Sequence, residues 1–140
     1  MNIRKAGLIS ALLLLAFAAS AQNKPKPAVP PNVSSGKQTY ARHCASCHGD
    51  DGRGNGPASS ALKTPPPDLT TLAIHHAGKF PEEYVTGVVR FGKPVSAHGS
   101  SDMPVWGPVF SVLENGNEVA VRQRIKELCD YLASIQDKES

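Results

Sequence analysis

The sequence predicts an all-α domain whose helices are joined by loops rich in glycine and proline. Near the end of the chain, apolar residues recur at spacings of four and three, which is the pattern of one helix face. These residues are Val121, Ile125, Leu128, Leu132 and Ile135. A second segment, between Pro81 and Phe91, carries three valines on one side of a helix. We therefore expect one helix from about Glu118 to about Ile135 and another from Pro81 to Phe91.

The ends of these two segments carry residues that stabilise helix termini. Asn117 is a suitable N-cap, and Glu118 is favourable in the first turn of the last helix. Proline is accepted at the first helical position, so Pro81 and the two glutamates after it suit the start of the middle helix. Gly92 is expected to end that helix.

An earlier helix is predicted to begin near Ser34 or Ser35, because serine is a common N-cap. Gly36, Tyr40 and Cys44 then follow at intervals of four, so they share one face of that helix. Together, these three predicted helices indicate one small domain with few aromatic residues. Small domains with a thin core usually need a disulfide, a metal or a cofactor.

The first 21 residues have the pattern of a secretory signal peptide. A basic start with Arg4 and Lys5 precedes a short apolar run from Ala6 to Ala19, and Ala19-Ser20-Ala21 supplies the small residues of a cleavage site. The alternative is a retained membrane anchor, but a spanning helix needs about 20 apolar residues. We expect residues 1–21 to be removed, no stable membrane span afterwards, and a periplasmic or otherwise exported product.

The rest of the chain divides into three parts. Residues 22–32 are rich in proline and are predicted to form an extended tether, residues 33–137 form the domain, and residues 138–140 are a short tail. The chain has 15 Lys+Arg and 12 Asp+Glu, a formal charge of +3, of which the signal peptide contributes two. This nearly neutral balance, with no basic patch, argues against nucleic acid as a partner.

Residues 44 to 48 read Cys-Ala-Ser-Cys-His, and this spacing in an exported chain is typical of covalent attachment of one c-type haem. On a helical turn Cys44 and Cys47 share a face, so both thiols can reach vinyl groups on one haem edge. His48 follows on the same face and can approach the iron. Three alternatives compete: a thioredoxin-like redox pair, a zinc site and a structural disulfide between Cys44 and Cys47.

Met103 is the candidate for the sixth iron ligand, since it is the only methionine left after residues 1–21 are removed. Pro104 biases Met103 toward an extended backbone, and an extended loop can lay a thioether over the haem. A lone methionine is more often core filler than a ligand. The remaining alternatives for this position are His98, five residues earlier, and an open site.

These residues resemble the class I cytochromes c, and the resemblance covers residues 33–137. It implies a cytochrome c-like fold in which the N-terminal and C-terminal helices cross and loops enclose the haem. In that family a small residue and an aromatic residue, here Gly36 and Tyr40, pack against the last helix, here near Leu128 and Tyr131. Gly36 would let the two backbones approach closely.

The resemblance also assigns roles to a proline and to the third cysteine. A backbone carbonyl next to a proline accepts a hydrogen bond from His48 Nδ1 in this family. Pro57 is the best match by position, and the run 65–67 offers rival prolines. Cys129 lies beside Leu128 and is interpreted as a small buried residue.

Two protein ligands on the iron would leave no place for a substrate. His48 and Met103 as a pair therefore predict an electron carrier and not an enzyme, with redox proteins such as a dehydrogenase, oxidase or reductase as partners. The alternatives are an open-site haem sensor or enzyme, and a haem-bearing subunit of a dehydrogenase or oxidase complex.

Overall fold

The computed structural model describes residues 33–92 and 102–138, and these residues form helices and loops without a β-strand. The α-helices are α1 (Val33–His43), α2 (Ala45–His48), α3 (Glu82–Phe91), α4 (Trp106–Leu113) and α5 (Glu118–Ser134). Three single-turn 3-10 helices lie between α2 and α3: Ser59–Ala61, Leu69–Thr71 and Ile74–His76. The prediction of an all-α fold is confirmed.

Several predictions concern parts of the chain outside the described residues. These are the signal peptide at 1–21, the tether at 22–32, the loop residue His98 and the last two residues of the tail. Within the described ranges, no helix is both long and apolar enough to cross a membrane.

The first and last helices pack against each other at Gly36 and Tyr40. A Cβ atom at Gly36 would overlap the backbone carbonyl of Glu127 and lie 3.0 Å from Tyr131 Cβ. The rings of Tyr40 and Tyr131 lie 5.3 Å apart between centroids. The prediction that Gly36 faces the last helix near Tyr131 is borne out, although its nearest neighbour is the backbone of Glu127.

The same contact between helices predicts the effect of enlarging Gly36. Gly36→Ala, and more strongly Gly36→Leu, should lower the free energy of unfolding, because the new side chain must push α5 away. Overpacking of this kind typically costs ~1–3 kcal/mol. Chemical unfolding of the haem-loaded protein measures the change.

Gly87 in the middle of α3 is the matched control, because a Cβ there would meet no atom within 4 Å. Gly87→Ala should stabilise the protein by up to about 1 kcal/mol, the difference in helix propensity between the two residues. If Gly36→Ala also stabilised the protein, the close approach of α1 and α5 would be wrong.

The observed helix ends agree with the predictions for α5 and differ for α1 and α3. The Asn117 side chain accepts hydrogen bonds from the backbone N–H groups of Val119 and Ala120, at 3.1 and 3.2 Å, so it is the N-cap of α5. Helix α1 begins at Val33, close to the predicted start, but Ser34 and Ser35 lie inside it and neither is its N-cap. Serine is only mildly unfavourable inside a helix and so does not fix its first residue. Helix α3 begins at Glu82, one residue later than predicted, and Pro81 is its N-cap.

Helix α4 was not predicted, because the sequence suggests only a long connection between Met103 and the last helix. Gly107 and Pro108 argue against a helix in this segment, since both residue types disfavour helix interiors. They fall in the first turn, where backbone N–H groups have no partner within the helix, so proline loses no hydrogen bond there. Gly107 also allows contact with the Arg90 carbonyl, which a Cβ would overlap. Phe110 of α4 is fully buried and joins the helix to the core.

Cys129 lies inside the core, as predicted for a small buried residue. Its side chain is buried, and its Sγ lies 3.5 Å from the hydroxyl of Thr86 on α3. Burial raises the pKa of this thiol, so it stays protonated at neutral pH. All three cysteines of the chain are free thiols in the structure.

Candidate haem site

The Cys-Ala-Ser-Cys-His segment forms a helical turn immediately after α1. The backbone N–H groups of Cys47 and His48 both donate to the carbonyl of Cys44, at 3.1 and 2.9 Å. The thiols of Cys44 and Cys47 are half-buried, and His48 is buried. The turn therefore holds the three side chains in the local conformation that the spacing predicts.

The state of the thiols bears on the alternatives for this segment. Cys44 and Cys47 are not joined, which leaves the structural disulfide without support. Burial, with a smaller contribution from neighbouring Cys47, raises the pKa of Cys44 to about 12. A thioredoxin-like pair belongs to a βαβ unit, whereas this pair lies on a helical turn between α1 and a loop. Among the described residues, no three His, Cys, Asp or Glu side chains cluster in a way that could hold a metal ion.

The ring of His48 is oriented by a backbone carbonyl in the next loop. Its Nδ1 lies 3.3 Å from the carbonyl oxygen of Pro67. A carbonyl can only accept a hydrogen bond, so Nδ1 carries the proton in this contact and Nε2 carries the lone pair that can bind a metal. This is the contact that the resemblance implies, made by one of the rival prolines.

The preference for Pro57 as this partner is therefore wrong. The loop after His48 folds back onto the turn, where Gly56 N–H donates to the Cys47 carbonyl at 3.1 Å and Ala58 N–H to the Ser46 carbonyl at 2.8 Å. These two bonds place Pro57 against the backbone of the motif and not at the imidazole. Position in the sequence could not show which way the loop turns.

Two further backbone contacts bring the Pro67 segment to His48. Gly54 N–H donates to the His48 carbonyl, and Leu69 N–H donates to the Gly52 carbonyl, each at 2.7 Å. A Cβ at Gly54 would overlap the Pro66 carbonyl, and Gly54 has φ +78°, a conformation that favours glycine. The glycines of this loop thus let two chain segments lie in contact beside the imidazole.

Met103 lies in the bend before α4 and is half-buried against the hydrophobic core, as are Cys44 and Trp106. The neighbouring carboxylate of Asp102 accepts hydrogen bonds from the backbone N–H groups of Lys63 and Thr64, at 3.1 and 3.3 Å. These bonds tie the methionine segment to the loop that follows the haem motif. The rival ligand His98 lies outside the described residues, so the choice between the two stays a prediction.

With this geometry described, comparison with known proteins identifies the family. The family model described as "Cytochrome C oxidase, cbb3-type, subunit III" matches residues 31–116, which is more than half of the chain. This protein belongs to that family of class I c-type cytochromes. No curated protein and no solved structure matches it.

Membership of this family implies covalently bound haem c and a role in electron transport, and the side chains of the cytochrome fit that group. Two thiols stand on one helical turn, and an imidazole follows whose Nδ1–H donates to a carbonyl. Cys44 and Cys47 would carry the two thioether bonds, and His48 would bind the iron through Nε2. The haem, once bound, supplies an iron that changes its charge by one electron.

Another histidine of the cytochrome, His43, contacts aromatic residues of α4. Its ring packs against Trp106 and Phe110, at centroid distances of 5.2 and 5.5 Å. Burial, followed by the charges of Arg124 and Arg42, lowers the pKa of His43. Its contacts are with α4, the helix that the sequence did not reveal, so no pattern near His43 could have predicted them.

Proposed function

We propose that this cytochrome is an exported, monohaem carrier of single electrons, with His48 and Met103 as axial ligands, and that it is not an enzyme. The observation that carries the proposal is the contact between His48 Nδ1 and the Pro67 carbonyl, because it prepares Nε2 for iron. A hydrogen bond of this kind fixes the ring and raises the basicity of a ligating histidine.

A thioether from Met103 would complete the coordination of the iron. With both axial positions filled by protein, substrate has no site, and neither redox state must gain or lose a ligand. A neutral sulfur ligand favours Fe(II) and raises the reduction potential. These properties suit transfer of one electron at a time between a donor and an acceptor protein.

Visible spectra of the purified protein in both redox states, with and without carbon monoxide, test the proposal. The expected result is a low-spin ferrous haem that does not bind carbon monoxide readily at neutral pH. Rapid binding of carbon monoxide would favour the open-site sensor or enzyme instead.

The description of the matched family favours a second candidate, in which this chain is a haem-bearing subunit of an oxidase complex. The ligation of the iron would be the same, and only the permanence of the contact with the partner would differ. Native gels of gently solubilised cells, stained for haem, separate the two. A free carrier migrates at the mass of the mature chain, and a subunit migrates with its complex.

Export gives a prediction about mass. Because residues 1–21 have the pattern of a cleaved signal, the mature protein should begin at Gln22 and carry the mass of one haem. Intact-mass spectrometry of protein isolated from its native cells measures both. A product that keeps residues 1–21 would show that the segment is an anchor.

A further inference from the structure

An ion-pair network joins the loop after the haem motif to the end of the chain. The guanidinium of Arg53 makes two parallel hydrogen bonds to the carboxylate of Asp137, at 3.1 and 3.0 Å. It also lies 3.4 Å from a carboxylate oxygen of Asp68. The paired, two-bond geometry fixes the orientation of both groups, which a single contact does not.

The same two carboxylates hold the chain immediately after Pro67. Asp68 accepts hydrogen bonds from the backbone N–H and the hydroxyl of Thr70, at 2.8 and 2.6 Å. Asp137 donates its own N–H to the Thr70 carbonyl at 2.8 Å, and its carboxylate lies 3.2 Å from the Thr70 hydroxyl. Thr70 is buried, so the turn that follows Pro67 is held on both sides.

We propose that Arg53 and Asp137 are positioning residues that hold the Pro67 carbonyl on His48 and thereby set the reduction potential of the haem. This proposal rests on the proposed function, in which His48 is the proximal ligand. Neither residue touches the imidazole. They act through the turn at 67–70, which the network joins to the haem loop and to the end of the chain.

The direction of the effect follows from the chemistry of imidazole. A hydrogen bond from Nδ1–H to a carbonyl makes the ring a stronger electron donor, and a stronger donor favours Fe(III) over Fe(II). Loosening the network weakens this hydrogen bond, so the reduction potential should rise. Charge alone would change the reduction potential differently. Removing the positive charge of Arg53 favours Fe(III) and lowers the potential, whereas removing the negative charge of Asp137 disfavours Fe(III) and raises it.

Three variants separate positioning from charge. Arg53→Gln removes the cation, Asp137→Asn removes the anion, and Arg53→Lys keeps the charge but loses the two-bond geometry. Positioning predicts an upward shift of the midpoint potential in all three. Charge alone predicts a downward shift for Arg53→Gln, an upward shift for Asp137→Asn and no shift for Arg53→Lys.

The measurement is a spectroelectrochemical titration at low and at high ionic strength, because a shift caused by charge alone shrinks when salt screens exposed charges. Lys126 is the matched control, since it is an equally exposed cation paired with Asp130 at 2.6 Å and Glu82 at 3.6 Å. Lys126→Gln should leave the potential unchanged. The double variant Arg53→Gln/Asp137→Asn should shift it no further than either single variant, because both break one network.

Hydrogen exchange at His48 Nδ1, followed by NMR, supplies a second readout that charge does not move. Exchange should be faster in the three network variants and unchanged in Lys126→Gln. Potentials that follow the pattern expected from charge alone, or unchanged exchange, would overturn the positioning role. The proposed function would still stand in that case, provided that the wild type shows the low-spin spectrum. A wild type without that spectrum would instead count against the proposed function.

Discussion

Met103→Ala should open the sixth coordination position of the haem iron to carbon monoxide. The side chain of alanine cannot reach the iron, so the ferrous haem becomes accessible and the weak sulfur-to-iron charge-transfer band of the ferric protein disappears. The reduction potential should fall, because a soft ligand that favours Fe(II) is lost. Absorption spectra with and without carbon monoxide, followed by a redox titration, measure all three changes.

His98→Ala is the control for this experiment, since His98 is the rival ligand five residues before Met103. It should leave the spectrum, the reaction with carbon monoxide and the potential as they are in the wild type. If His98→Ala alone opened the site, the iron would have two histidine ligands and a lower potential. If the native protein bound carbon monoxide rapidly and Met103→Ala left the spectrum unchanged, the sixth position would be open in the native protein.

Replacing either cysteine of the motif should break one of the two covalent links to the haem. Cys44→Ala and Cys47→Ala each leave a single thioether bond at most, and the double variant should lose covalent haem altogether. The measurement is haem stain after denaturing electrophoresis, together with the pyridine haemochrome spectrum, which reports the number of saturated vinyl groups. Acid-stable haem with two links in Cys44→Ala would contradict the assignment.

Cys129→Ala is the matched control, because it removes a thiol of the same chemistry from the core. Haem attachment should be unaffected. The free energy of unfolding should fall by about 1–2 kcal/mol, as for other small truncations in a core. This pair of outcomes separates loss of a haem bond from general damage to the fold.

The features predicted from the sequence are those specified by neighbouring residues. Helix α5 follows from its apolar spacing, its start follows from Asn117, and the helical turn at residues 44–48 follows from its motif. The face shared by Gly36 and Tyr40 could be found in the same way, with the resemblance supplying its partner helix.

The remaining features depend on contacts between distant segments. Pro67 and not Pro57 reaches His48 because the loop folds back on the motif, which no local pattern encodes. The contact of Arg53 with Asp137 joins residues 84 positions apart and has no signal in either segment. Helix α4 was hidden because Gly107 and Pro108 are accepted in a first turn that only the structure locates.

The packing of α1 on α5 has a consequence for the order of assembly. Bringing Gly36 onto Glu127 closes nearly the whole domain into one loop, and the entropy of loop closure makes such long-range contacts late and slow to form. A polypeptide synthesised from its N-terminus presents Cys44 and Cys47 before the last helix has emerged. Attachment of the cofactor can therefore precede closure, and the last helix then completes a domain that already contains it.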